Sequence, residues 1–506
     1  MATMKLKLLS IGGLFAATIL CSAIPAPKTN LYVADYENVL GTSLEIKIAA
    51  QNDNQAQLAE NAALNEIDRL NKILSGYDAN SEFMRWTKTN NTAVKVSSEL
   101  FEVLSLFDKW KTQSNGALDA SAEVVGKLWK DAAKRGTQPT QEEINAAVAR
   151  VKQQHWVLNS ANHTATHLDN APLMLNSFVK SYVMNKACNV AMQATGTKGI
   201  VLNIGGDIVV RGEHTEKIRV SNPKADAEND APIAFLNIAN KTIATSGNYR
   251  RGELVNGQWH SHIVDPRTGT PADAIISATV VAENPADAGA LATAMNVLKP
   301  EESSRLAATV TGAEYMIITA DGKRIESKGW KAMEIASSAA PETVNTAFAD
   351  KTWDPKYELK IDLELKAIEG MRVHRPYVAV WVVDKDKKPV RNIALWSQKP
   401  KYLKEMSAWY EAYGDKYEMQ DQSVSSTSSA TRPAGKYTIK WDGKNDKGEY
   451  VKKGLYTVMV EVAREHGTHQ IMTEEMDFTQ TPKPAKLSGN TEVEGASFEY
   501  VKKDGQ

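Results

Sequence analysis

Ser261-His262-Ile263-Val264-Asp265-Pro266-Arg267-Thr268-Gly269-Thr270-Pro271 is the most informative stretch of this chain. A histidine, a carboxylate, a guanidinium and a hydroxyl converge on a turn shaped by Pro and Gly. His262 has the chemistry of a general acid or base, and Arg267 that of an anion clamp. A charged turn around a satisfied histidine explains the same residues.

Working outward, Ala244-Thr245-Ser246-Gly247-Asn248-Tyr249-Arg250-Arg251 offers hydroxyl and backbone donors beside two cations, a mix that suits a phosphate. A polar turn with solvated arginines reads equally well. Gly205-Gly206-Asp207, with Gly212 further on, allows close backbone approach to a phosphate or ring, or simply makes a hairpin. No G-x-G-x-x-G opens a helix there, so it is not a dinucleotide fingerprint. In Asn115-Gly116-Ala117-Leu118-Asp119-Ala120-Ser121, Asp119 sits among small residues where a ligand can approach, or caps the helix that follows. Leu74-Ser75-Gly76-Tyr77-Asp78-Ala79-Asn80-Ser81-Glu82 either stacks a ring on Tyr77 or is a helix end and its turn.

The order of these clusters resembles that of the FAD:protein FMN transferase (ApbE) family. Leu40-Gly41-Thr42, the Leu74 to Glu82 stretch, Gly116-Ala117-Leu118-Asp119, Leu175 to Ser181, Gly205 to Asp207, Ala244 to Gly247, His262 to Gly269 and Ala288 to Thr293 carry it, over roughly 35–330. The resemblance implies an exported enzyme that cleaves FAD as substrate. FMN passes to a Thr or Ser hydroxyl of a partner flavoprotein as a phosphoester, and AMP leaves. It places Tyr77, Ala117, Leu118, Asp119, Lys180, Gly205, Gly206, Asp207, Thr245, Ser246, Ile263, Arg267 and Thr268 at the flavin nucleotide. It places His262 and Asp265 at the reacting centre, and Ser177 and Thr293 at a Mg2+ ion, with Asp287 a weaker ligand.

This chain departs from the family pattern around the phosphates and the metal. The family's metal-binding Asp, four residues before its Thr, falls on Gly289. Asp287 lies two residues earlier, about 200° around a helix, so it does not replace that ligand. Met174, Asn176-Ser177, Ser181 and Asn185 stand where the family has Asp, Gly-Gly, Gly and Asp, while Lys180 is kept. On this reading Gly289→Asp raises magnesium affinity, and the alternative to a transferase is a flavin-binding or partner-binding relative without the chemistry.

The 506 residues allow two or three domains, and 42% hydrophobic with 24% charged residues is ordinary globular composition. Lys plus Arg number 60 against 61 Asp plus Glu, a formal charge of −1, which argues against bulk capture of nucleic acid. Two cysteines, Cys21 and Cys188, exclude a disulfide scaffold and a CxxC-type zinc site.

Residues 1–23 read as a signal peptide: Lys5 and Lys7, an apolar run from Leu8 to Leu20, then Cys21-Ser22-Ala23. Export to a periplasmic or other extracytoplasmic space follows. Membrane contact is expected only through an N-terminal anchor, and Leu20 before Cys21 weakens a lipid-anchor reading.

The expected fold is α+β: a transferase-type domain of mixed sheets and helices over 30–334, a linker over 335–355, an all-β Ig-like sandwich over 356–480 and a loose tail over 481–506. In the first domain Ala63, Ile67, Leu70 and Leu74 form a helical stripe, Gly199 to Ile204 a buried strand and Ala286 to Leu298 a helix begun by Pro285. In the second, Tyr357 to Leu365 alternates and Tyr377 to Val383 reads as a continuous buried strand. Its motifs resemble an Ig-like module appended to some of these transferases, through Ala434-Gly435-Lys436-Tyr437, Trp441-Asp442-Gly443 and Lys453-Gly454-Leu455-Tyr456. Asp442, Asn445 and Asp446 read as a turn, and His466 with His469 makes no metal site without further ligands.

Overall fold

The computed structural model describes residues 29–336, 352–366, 373–374, 376–396, 400–418, 426–428, 435–464 and 468–503. The expected signal peptide with Cys21, most of the expected linker, Ala434, and His466 lie outside them.

The first domain is built on a nine-stranded sheet whose neighbours are all antiparallel. Its order is Arg324–Glu326, Glu314–Thr319, Ile275–Ala282, Thr242–Gly247, Asp207–Gly212, Gly199–Ile204, Thr42–Ala50, Asn30–Val39 and Val373–His374. Ile200, Leu202 and Ile204 enter the large core beneath the helices, while Val201 enters a second core on the opposite face. That second face is covered by a small sheet of Thr215–Val220, Ala234–Ala239 and Ser426–Ser428. A strand covered on both sides has no polar face, hence the apolar run Ile200-Val201-Leu202, which Asn203 interrupts beside the turn, where its side chain accepts from the Gly206 amide.

The helix layer holds α1 (Asp53–Leu74), α2 (Ser98–Gln113), α3 (Glu123–Arg135), α4 (Gln141–Val151), α5 (Val179–Met192) and α6 (Pro285–Val297). Asn52 caps α1 by accepting from the Gln55 amide at 3.0 Å, and the Ala63, Ile67, Leu70, Leu74 stripe is buried as its spacing predicts. In α6 the Asn284 side chain accepts from the Ala286 amide at 2.9 Å, and Pro285 occupies the first turn. Its small residues bring it close against the strands Thr242–Gly247 and Ile275–Ala282, so it is buried nearly all round.

The second domain is a sandwich of two four-stranded sheets, ordered Lys436–Trp441, Tyr357–Leu365, Val493–Lys502, Ala485–Ser488 and Pro389–Trp396, Tyr377–Asp384, Leu455–Ala463, His469–Asp477. Val378, Val380 and Val382 enter the inter-sheet core, while Tyr377, Ala379, Trp381 and Val383 pack outward against a helix, α7 (Ser407–Glu418). The expected all-β domain therefore carries a helix. The buried carboxylate of Glu461 holds its first turn, accepting from the amides of Ala408 at 3.1 Å and Trp409 at 2.7 Å.

Two boundaries change. The expected loose tail 481–506 contains two strands, and Val493–Lys502 lies inside a sheet with Val493 and Phe498 fully buried. Charged residues on its open face mask that alternation in composition. The expected linker 335–355 ends in core: Trp353 is 2% exposed, with its ring 4.7 Å from Trp441 and 4.6 Å from Phe478.

The domains share strands. Val373–His374 pairs with Tyr36 and Glu37, and Ser426–Ser428 runs parallel to residues 218–220. Asn229 mimics a strand partner: its side chain donates to the Lys440 carbonyl at 2.7 Å and accepts from the Lys440 amide at 2.9 Å. The Glu228 amide donates to the Thr438 carbonyl at 2.7 Å. The Lys440 ammonium lies 3.0 Å from Glu358 and also bonds Asp226. Asn229→Ala is expected to cost about 1–3 kcal/mol in urea unfolding, since it removes two hydrogen bonds at the junction. Two separate unfolding transitions for the unaltered chain would show that the domains are not joined this way.

Candidate functional site

The first half of the site gathers where α5 begins. Lys180 lies in the first turn of α5, and its ammonium is 3.6 Å from an Asp207 carboxylate oxygen. Asp207 opens its strand directly after Gly205 and Gly206, whose φ angles of +59° and +98° suit glycine. The Asp207 carboxylate also accepts from the Thr245 amide at 3.3 Å and from the Ser181 hydroxyl at 3.4 Å. The Thr245 hydroxyl meets that of Thr279 at 3.0 Å.

Helix α6 ties this half together. The Thr293 hydroxyl donates to the Ser177 carbonyl at 2.8 Å, and one turn on, the Asn296 amide donates to the Ser246 carbonyl at 2.9 Å. Gly289, Thr293 and Asn296 share one stripe of the helix. Asn296 was not singled out from sequence. Its only signal there is a polar residue in an alanine-rich helix.

The second half is the turn at 262–269. Asp265 is buried, and Arg267 grips it with two parallel hydrogen bonds, Nε at 2.9 Å and a terminal nitrogen at 2.8 Å. These bonds push the guanidinium pKa above its usual value, against the cost of burial. Arg267 therefore binds within the turn, where the sequence suggested a clamp for an external anion. Its Cγ lies 3.6 Å from where a Cβ on Gly116 would be, which brings the Ala117 to Asp119 loop alongside. The Ile263 carbonyl accepts from the Ala272 amide at 2.9 Å, and the exposed Thr268 hydroxyl meets Thr270 at 2.8 Å.

His262 Nδ1 lies 2.9 Å from the Arg251 carbonyl. A carbonyl only accepts, so Nδ1 carries the proton and Nε2 keeps its lone pair. The ring has an exposed rim but is crowded elsewhere, and that loss of water pushes its pKa below 6.5. The charges of Arg251 and Lys130 act in the same direction, opposed by the bond to the Arg251 carbonyl. The halves are joined by the Met174 amide, which donates to the Ala120 carbonyl at 2.9 Å, and by Asn248, which donates to the Ala272 carbonyl at 3.3 Å.

Other expected residues are placed differently. Asp119 caps the short helix Ala120–Ala122, accepting from the Ser121 amide at 2.8 Å and hydroxyl at 2.7 Å, and its second oxygen is 2.7 Å from Lys111. The cap reading describes it. Ala117 and Leu118 are buried, whereas Tyr77 is 76% exposed and its hydroxyl accepts from Asn176 at 2.7 Å. Asp287 is 3.6 Å from Lys109 on α2.

The donors do not fit a carboxylate-built magnesium site. Magnesium asks for hard oxygen ligands, usually including one or two carboxylates. Ser177 and Thr293 bring neutral oxygens, and among the described residues no three of His, Cys, Asp or Glu cluster to hold a metal. A Cβ on Gly289 would meet the Ser181 hydroxyl at 2.7 Å and the Phe178 Cα at 3.3 Å. Ser181 fills the space at position 289, so Gly289→Asp alone is a clash rather than the simple restoration expected from sequence. Asp119→Ala is expected to destabilise the domain by about 1–3 kcal/mol, from loss of the cap and of the buried carboxylate's contact with the partly exposed Lys111. Unchanged thermal unfolding would release Asp119 from this structural role.

The ApbE family model matches residues 40–317, and residues 358–495 match a family described as "Predicted periplasmic protein (DUF2271)", which does not carry the Ig-like label expected for that domain. A FAD:protein FMN transferase of Klebsiella pneumoniae is 26% identical over 321 residues, covering 60% of this chain and 91% of its own length. That of Haemophilus influenzae is 25% identical over 327 residues, 62% of this chain and 93% of its own. The ApbE protein of Thermotoga maritima superposes with a TM-score of 0.53 at 24% identity, over 61% of this chain and 100% of its own. The flavin transferase ApbE of Vibrio cholerae gives 0.51 at 22%, over 60% and 100%. These two structures show the shared fold. No helix among the described residues is long and apolar enough to cross a membrane. With over half its length matched by the family model, the chain belongs to the ApbE family.

Proposed function

We propose that this chain is an exported FAD:protein FMN transferase, moving FMN from FAD to a Thr or Ser hydroxyl of a partner flavoprotein. The curated relatives bear that name, and the chain spans about nine-tenths of their length. The match of residues 358–495 to a predicted periplasmic family favours export. The observation that carries the reading is the meeting of Ser177, Lys180, Asp207, Thr245 and Thr293, distant in sequence, around the start of α5.

In this scheme the Lys180 ammonium and the α5 N-terminus offset the diphosphate charge, and the Gly205-Gly206 turn lets backbone approach it. Asp207 holds Lys180 in place. His262 Nε2 accepts the proton of the acceptor hydroxyl. That oxygen forms a bond to the FMN phosphorus, the bond to the bridging oxygen breaks, and AMP departs with that oxygen. No step is assigned to magnesium, because the donor set does not fit it.

A second reading, flavin binding without transfer, is favoured by the Ser181 side chain standing where position 289 would carry a carboxylate. One assay separates the two. The protein is mixed with FAD and an acceptor domain that a curated relative labels in parallel, with magnesium or with chelator, and the acceptor mass is recorded. A mass gain matching an FMN phosphoester supports transfer. Tight FAD binding without gain supports the second reading, and neither result defeats both.

Lys180→Met is expected to weaken FAD binding by about tenfold or more in fluorescence titration, the worth of a bond to a charged phosphate. His262→Gln is expected to slow transfer by about a hundredfold. Because burial lowers the His262 pKa, the base is neutral above it and is lost as pH falls through it, below about 6.5. The wild-type rate therefore falls on the acid side, and the variant loses that limb. A pH profile identical in both would remove His262 as the base.

A further inference from the structure

Residues 252–261 form a two-stranded ribbon that joins no larger sheet, closed by Asn256 and Gly257 with φ of +51° and +77°. Such a ribbon is marginal unless one face is buried. Here the inner face is: Val255 is fully buried beside Val125, Trp129 and Ala132, and the His260 ring lies 4.7 Å from Trp129. The outer face is apolar as well. Leu254 and Trp259 sit directly opposite each other across the strands and are 62% and 48% exposed. Two large apolar side chains paired on an open face mark an interaction surface.

The place of the ribbon names the occupant. One strand follows Tyr249-Arg250-Arg251 and the other runs straight into His262, whose amide and ring nitrogen both bond the Arg251 carbonyl. A body seated on Leu254 and Trp259 is therefore at the mouth of the candidate site. At the foot of the ribbon is a cavity of about 450 Å³ lined by Lys130, Ala133, Lys134, Glu253 and Leu254. Two of its three charged side chains, Lys130 and Lys134, are cations, which suits an anionic partner. Lys130 and Lys134 make exposed pairs with Glu123 at 3.3 Å and Asp131 at 3.0 Å, which hold little energy. Arg250 and Arg251 each bury an Nε that has no hydrogen-bond partner among the described residues.

We propose that the outer face of this ribbon docks the acceptor protein, gripping an apolar segment flanked by acidic residues next to the hydroxyl that receives FMN. The proposal rests on the transferase reading above.

The test uses the full mature chain, FAD, and an acceptor domain that a curated relative labels in parallel. Leu254→Ser with Trp259→Ser is expected to raise the KM for that domain by about tenfold or more, with kcat and FAD affinity unchanged. Lys134→Glu is expected to raise KM by about threefold at low salt, an effect that fades at high salt. Leu254→Ser alone keeps the test open should the double variant misfold. An unchanged KM would overturn the proposal. So would light scattering that shows a dimer dissolved by the double variant, since a second copy would then cover this face. If the unaltered chain labels nothing, the transferase reading fails. Docking is then judged by direct binding of the same domain, and equal binding by both forms overturns it.

Discussion

The burial of α6 on nearly every side is the constraint on which the rest depends. An alanine-rich helix lies close on two central strands, and its polar side chains Thr293 and Asn296 bond inside the protein. Along one stripe, Gly289 admits Ser181, Thr293 holds the Ser177 carbonyl and Asn296 holds the Ser246 carbonyl. One helix thereby fixes the start of α5 and the end of the strand Thr242–Gly247, the two elements that carry Lys180 and Thr245. A buried polar group is costly unless bonded, so these bonds specify a single register.

The second half of the site is held by charge within a turn. Asp265 and Arg267 satisfy each other, and the loop they brace carries His262 outward, with its ring direction set by the Arg251 carbonyl. Rigid support and an exposed rim suit a group that exchanges a proton with an incoming partner. The ribbon between Arg251 and His262 continues from that loop with Leu254 and Trp259 exposed on its outer face. The second domain is joined to the first through shared strand edges and the Asn229–Lys440 pairing. That junction makes it part of the same folded body.

Much of this was legible in the chain. The His262 to Gly269 turn, the Gly205-Gly206 hairpin, the stripe on α1 and the Pro285 start of α6 all follow from local rules of turns, caps and periodicity. Trp353 and Phe498 were not legible. A lone aromatic in a small-residue stretch, or apolar residues alternating with charges near an end, look like linker and tail until the opposing sheet is present. Asp119 left two readings open, because a cap and a ligand use the same carboxylate. Lys111, eight residues earlier, is what fixes its second oxygen.

The sequence by itself determined the family, the α+β class of the transferase domain and the residue types of the site, since these rest on short-range pattern and motif order. Only the tertiary structure decided how those residues are used. It turned Arg267 inward onto Asp265, put Ser181 in the space beside Gly289 and brought Asn296 to Ser246. Each of those outcomes depends on two chain segments being close in space, and spacing along the chain does not encode that distance.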